Sequence, residues 1–212
     1  MSRQVATKLK IAVGVSGGGR SLGNLVECGP QQSYEVALVF SSSPSIGANN
    51  VAKKANLPLL IEDFSVKNQA PAKQNLYRSL VDKKIDLVVL AGFLKLMPMD
   101  PSWPGKIINI HPALLPKFGG KGMYGHHVHE AVLAAHETES GASVHFVNAR
   151  YDEGRIIAQS RVPVTVGETA GSLADKVFAS ECDLLPWVIG ELARGGLPKQ
   201  ETVIFHSQKA QF

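Results

Sequence analysis

The sequence is poor in cysteine: of 212 residues only Cys28 and Cys182 carry thiols. They stand far apart and without a metal-ligand spacing, which sets aside a disulfide scaffold or a zinc ribbon and leaves reduced thiols as the expectation. No apolar run approaches the ~20 residues a membrane helix needs. The stretch 1–10 has neither the apolar core nor the cleavage pattern of a signal peptide, so a cytoplasmic protein with no membrane partner is expected. Excess charge is small as well. A net charge of +4 and a pI near 9.1, with lysines scattered rather than striped, argue against a nucleic-acid partner and suit small anionic ligands. Internal repeats and disorder-prone stretches are absent. The 44% of hydrophobic and 19% of charged residues are enough for a sizeable core, in a length that suits one α/β domain.

Strand and helix signals alternate along the chain. Residues 9–16 form a short apolar run that ends in Gly17-Gly18-Gly19-Arg20-Ser21, after which Leu22, Leu25 and Val26 recur at helical spacing. Such a turn lets backbone N–H groups close on an anion at the positive end of a helix, and Arg20 and Ser21 add donors. The dinucleotide fingerprint fails because Leu22 stands at its third glycine. P-loop spacing is met by Gly14 and Gly19, but Arg20 replaces the lysine. From this stretch alone, an anion cradle and a plain tight turn both stay open. Further strands are expected at 34–41, 57–61 and 86–91, with helices ending at Ala55 and spanning 70–84, the latter with Leu76, Leu80 and Val81 as its buried stripe. The run 86–91 reads as a central parallel strand covered on both faces; no acidic residue closes it, which weakens a nucleotide-hydrolase reading.

The segment Lys106-Ile107-Ile108-Asn109-Ile110-His111-Pro112 departs from its own composition. Alternation on a strand puts Ile108 and Ile110 on one face and Asn109 and His111 on the other, roughly 6–7 Å apart along the chain. Pro112 cannot donate to the ladder, so the strand stops where the histidine emerges. Open α/β sheets bind ligands at this end of their strands, and an amide with an imidazole there points to a site as well as to simple capping. A glycine-rich loop follows at 113–125. His126, His127 and His129 open a helix to about residue 136, without the cysteine or acidic partners that zinc needs. Residues 141–147 read as a strand with Ser143 and His145 on one face, 148–154 as a loop carrying Asp152, and 155–164 as an antiparallel strand at the sheet edge. A long helix over 169–193, kinked or broken at Pro186, and a short strand at 202–206 complete the chain.

Together the glycine-rich turn, Gly92-Phe93, Asn109-Ile110-His111-Pro112 with Leu114-Leu115-Pro116, and Ser143-Val144-His145-Phe146-Val147 followed by Asp152 resemble the phosphoribosylglycinamide formyltransferases over roughly residues 9–190. The resemblance implies an α/β fold with a Rossmann-like, mostly parallel twisted sheet, helices on both faces and antiparallel edge strands. It implies one domain over 1–212, with the phosphate side in 9–105, the catalytic half in 106–194 and a tail in 195–212. The implied activity is formyl transfer from 10-formyltetrahydrofolate to the amine of glycinamide ribonucleotide in purine biosynthesis, without metal, by a monomer or homodimer.

Carried over by position, the resemblance gives His111 proton transfer, the Asn109 amide the developing oxyanion, Asp152 the stabilisation of a charged imidazole, and His145 an orienting role. Gly19, Arg20 and Ser21 match the phosphate turn, and Glu181 matches a residue that holds the ribose hydroxyls. Leu94, Lys95, Leu96 and Met97, with Asn109 and with Asn148, Ala149, Arg150, Tyr151 and Asp152, match the folate contacts; Lys67 and Lys73 are candidates for the folate tail. Gly19-Arg20-Ser21 departs from the usual Gly-Ser-Asn or Gly-Thr-Asn, which keeps open another acceptor such as an amino sugar nucleotide. Methionyl-tRNA formyltransferase and formyltetrahydrofolate deformylase share the Asn-x-His-Pro segment, and the chain's length favours the small ribonucleotide over both. A P-loop-like nucleotide-binding module is the reading from a different class, and it leaves Asn109, His111 and Asp152 unexplained.

Overall fold

The computed structural model describes residues 8–196 and 201–207; the expectations for 1–7 and for the rest of the tail fall outside them. Strands β1 (Leu9–Val15), β2 (Tyr34–Ser41), β3 (Leu59–Ile61), β4 (Leu87–Leu90) and β5 (Ile107–His111) alternate with helices α1 (Arg20–Cys28), α2 (Gly47–Lys54) and α3 (Gln69–Asp82). Then come α4 (His126–Ala134), β6 (Glu139–Phe146), β7 (Ile156–Pro163), α5 (Ala170–Arg194) and β8 (Val203–Phe205). The strands form one sheet in the order β3-β2-β1-β4-β5-β6-β7-β8. From β3 to β5 every pairing is parallel, and β6 runs against both of its neighbours.

The mostly parallel α/β sheet is thus the expected one, and the difference lies at its edge. β7 pairs antiparallel with β6, but β8 adds to its far side in parallel and takes the edge position. Ala158, Ser160 and Val162 of β7 are buried on the face that α5 covers, where the Ser180 hydroxyl donates to Ser160.

Side-chain alternation divides the core into two layers. Ile11, Val13, Val89, Ile108 and Ile110 pack with Leu22 and Leu25 of α1, Val132 of α4 and Leu173 and Val177 of α5. Ala12, Val88, Leu90 and Ile107 pack on the other face with Leu76, Tyr77 and Leu80 of α3. Asn109 and His111 therefore point away from the first layer, as the alternation of β5 requires. The stripe of α3 runs through Ala72, Leu76 and Leu80, whereas Val81 is 64% exposed. Tyr77 also lies off that line, but its ring is long enough to meet Trp103 and to donate from its hydroxyl to the Pro98 carbonyl. A valine is too short to do so.

Helix α5 continues through Pro186 as one element of 25 residues. Proline has no N–H for the carbonyl four residues back; that carbonyl, on Cys182, accepts instead from the Asn24 side-chain amide of α1 at 2.9 Å. Thr169 and Ser172 form a reciprocal capping box at the N-terminus of α5, and Gly195 ends it at φ 68°, the left-handed conformation glycine adopts freely.

The sheet order reverses between β1 and β4, the place where open α/β folds leave a crevice at the carboxyl ends of their strands. Ser16 N–H donates to the Gly92 carbonyl across that point, so the turn after β1, the loop after β4 and the end of β5 converge.

Candidate active site

The reversed direction of β6 sets Asn109 opposite His145 and His111 opposite Ser143. His145 Nδ1 lies 2.9 Å from the Phe146 carbonyl, which can only accept, so Nδ1 carries the hydrogen. In the neutral ring Nε2 is then an acceptor, and it takes a hydrogen bond from the Asn109 amide nitrogen at 3.0 Å. The same amide nitrogen donates to Asp152 Oδ1 at 3.3 Å. The second oxygen of Asp152 accepts from the Gly120 N–H at 2.9 Å and lies 3.5 Å from His111 Nδ1. His111 Nε2 donates to the Phe118 carbonyl at 2.7 Å, leaving Nδ1 as the open nitrogen of a neutral ring.

Two backbone devices bring Asp152 to this point. Its φ is +56°, a left-handed conformation that aspartate tolerates better than most residues. Gly154 passes so close to the Phe146 carbonyl that a Cβ would sit 1.6 Å from its oxygen, so only glycine lets the loop return there. Ser143 fixes the chain after β5: its hydroxyl donates to the Ala113 carbonyl and accepts from Leu115 N–H and from the Gln159 amide.

Burial drives the electrostatics of the cluster. Loss of solvent pushes His111 below the ordinary histidine value, and the opposing pull of Asp152 and of the Phe118 carbonyl does not recover it. The Asp152 carboxylate favours the charged form of this imidazole, and in the ligand-free protein desolvation outweighs that pull. For Asp152 the balance is reversed. Burial pushes its carboxyl up, but the neighbouring His145 and His111 rings and the Gly120 N–H together hold it below the usual range.

The cluster lies at one end of a cleft of about 600 Å³. Arg20 and Ser21 from the first turn of α1 line the same cleft, as do Glu181 and Phe178 of α5, Phe93 and Leu94 after β4, Tyr151, and the 120–126 segment. Gly19 shapes the turn from behind, at φ 86°, where a Cβ would fall 2.6 Å from the Ala48 Cα. Burial raises Glu181 to about 7 against the pull of Arg20.

Among the residues matched to folate, Leu94, Asn109, Tyr151 and Asp152 line the cleft, and Lys95, Leu96, Met97, Asn148, Ala149 and Arg150 do not. Met97 packs into the core beneath α3, and Arg150 pairs with Glu153. Lys67 and Lys73 are outside the lining too, with Lys73 paired to Asp100. Among the described residues no three His, Cys, Asp or Glu side chains converge as a metal site, and no helix is long and apolar enough to cross a membrane.

Residues 9–189 match the family model described as formyl transferase. The chain belongs to the formyl transferase family. It is 40% identical over 191 residues to the chloroplastic phosphoribosylglycinamide formyltransferase of Arabidopsis thaliana, covering 86% of this chain and 65% of that protein. The chain therefore spans slightly under two thirds of that relative's length. Among solved structures it is similar to the phosphoribosylglycinamide formyltransferase of Anaplasma phagocytophilum, with TM-score 0.80 and 27% identity over 94% of this chain and all of that one. The corresponding enzyme of Coxiella burnetii gives TM-score 0.79 and 31% identity over 89% of this chain and 88% of that one.

In this member of the family several residues at the site had no sequence signal. Phe118 and Gly120 act through main-chain atoms, which carry no residue signature. Phe178 looks like an ordinary helix position, yet it lines the cleft, as does His129 of the histidine cluster, whose buried Nδ1 has no partner among the described residues. Only helical spacing from Glu181, three residues on from Phe178, could have pointed to that ring.

Proposed function

We propose that this chain transfers a formyl group from 10-formyltetrahydrofolate to the amine of glycinamide ribonucleotide. The observation that carries the reading is one cleft holding the Asn109–His111–Asp152 cluster at one end and Arg20, Ser21 and Glu181 at the other. A primary amine and a phosphate on one small ribonucleotide fit those two ends. The first turn of α1 has no side-chain cap, so its N–H groups are free to receive the phosphate beside Arg20 and Ser21. Glu181 accepts from the ribose hydroxyls. Leu94 and Tyr151, 46% and 36% exposed, leave apolar surface at the cleft that fits a flat aromatic ring, and a cleft of this size accommodates a pair of small ligands.

When bound, the formyl folate supplies the formyl group and the nitrogen that leaves. His111 Nδ1 takes a proton from the attacking amine and returns it to the departing nitrogen, while Asp152, 3.5 Å away, stabilises the imidazolium between these transfers. The Asn109 amide nitrogen donates to the negative charge developing on the formyl oxygen, giving up its longer bond, that to Asp152. His145 holds this amide in place. One domain carries both halves of the site.

The test is a steady-state assay with 10-formyltetrahydrofolate in which glycinamide ribonucleotide, other amines and buffer are offered as acceptors. Turnover with the ribonucleotide alone is expected; transfer only to another amine or to water would sink the acceptor assignment.

The pH dependence follows from His111. A base with a depressed pKa stays neutral further into acid, so the acidic limb of kcat/KM should lie below the ordinary histidine value of about 6.5. An acidic limb at or above that value would contradict the role of neutral His111.

A further inference from the structure

The Arg20 guanidinium lies over the ring of Phe178, 3.7 Å from its centroid, and Nη2 reaches Asp175 Oδ1 at 3.5 Å. Arg20 belongs to the first turn of α1, whereas Asp175 and Phe178 stand one helical turn apart on α5. Arg20 and Phe178 both line the cleft. A guanidinium lying on an aromatic face keeps its N–H groups around its edge, where they bond laterally. The ring therefore supplies orientation and leaves the donors unspent. Asp175 occupies one of them through a long contact between side chains that are 63% and 78% exposed. Such a pair is well solvated and is given up at little cost.

We propose that Phe178 and Asp175 are positioning residues that set this chain's affinity for the phosphate of its acceptor, Phe178 as the platform for Arg20 and Asp175 as a stand-in anion that the phosphate displaces. The inference rests on the acceptor reading above. It assigns opposite signs to two residues on one helix face. Removing the platform lets Arg20 wander and weakens phosphate binding; removing the stand-in frees a donor and strengthens it. Both effects run through Arg20, so neither survives its loss. A ring that merely packed against the ribose would act whether or not Arg20 was present.

The experiment is a calorimetric double-mutant cycle on the full chain, with ribose 5-phosphate as the probe and glycinamide ribonucleotide beside it. Arg20→Ser should weaken ribose 5-phosphate binding about 10- to 100-fold, the range for losing a charge-assisted hydrogen bond. Phe178→Leu should weaken it about 3-fold and Phe178→Trp restore it, while Asp175→Asn should tighten it about 2-fold. In the Arg20→Ser background the Phe178 and Asp175 changes should have no effect. Additive losses, or an Asp175→Asn that binds no better, would overturn the proposal. No binding of ribose 5-phosphate by the unaltered chain would also overturn it. Failure of the acceptor reading shows separately, as ribose 5-phosphate binding that follows the cycle without formyl transfer to glycinamide ribonucleotide.

Discussion

His111→Ala should lower kcat by about a thousandfold, within the range a positioned general acid–base group contributes, and leave the fold in place. The size follows from the proposed carriage of the proton by the imidazole in both halves of the transfer: its Nδ1 lies beside Asp152 while Nε2 is fixed by the Phe118 carbonyl. No other described side chain in the cluster duplicates that arrangement. His145 is spent on Asn109 and Phe146, and Asp152 is held ionised by its neighbours. The folded state survives because β5 is anchored by Ile108 and Ile110 in the main core layer, and the alanine leaves the strand ladder untouched. Single-turnover formyl transfer and a thermal melt on the same sample give the two readings. A folded variant within tenfold of the normal rate would remove His111 from the mechanism.

Asp152→Asn should cost about a hundredfold in kcat and shift the acidic limb of the profile further down. The carboxylate raises the His111 pKa against the lowering by burial, so its removal leaves burial less opposed and the imidazolium harder to form. Asparagine is the informative replacement because it also tolerates the positive φ at this position and can keep an acceptor toward the Gly120 N–H. The stability consequence has a definite sign. The Asp152 pKa is depressed in the fold, so its contribution is present above the unfolded carboxyl value of about 3.9 and is lost as pH falls through the folded one. Near neutral pH the variant should therefore melt lower than the unaltered chain, a difference that shrinks in acid. An unchanged limb with an unchanged kcat would mean that the carboxylate only ties the loop down.

The fold was largely legible because its signals are local. Period-two alternation in β5 separates Ile108 and Ile110 from Asn109 and His111, and an unbroken apolar run marks β4 as central. Misreadings arose where a distant part of the chain decides. Val81 has the apolarity of a core residue but not the reach of Tyr77. The 155–164 strand looked terminal because β8 arrives only after the longest helix, α5. At the site, Asn109, His111 and Asp152 had composition and spacing behind them, while the carbonyl of Phe118, the N–H of Gly120 and the ring of Phe178 are supplied by folding alone. The sign of the His111 shift was also out of reach, since it depends on how deeply the folded chain buries the ring.

The bond from Asn24 to the carbonyl vacated at Pro186 joins residues 158 positions apart. Its consequence concerns the order in which the protein is made. A ribosome that has released residues through β5 has already supplied Arg20, Ser21 and most of the parallel sheet, but neither the ring on which Arg20 lies nor the helix that clasps α1. The end of the cleft at Arg20 is therefore among the last parts to assemble, and a nascent chain halted before residue 170 would carry Asn109, His111 and Asp152 with the wall that α5 supplies still missing.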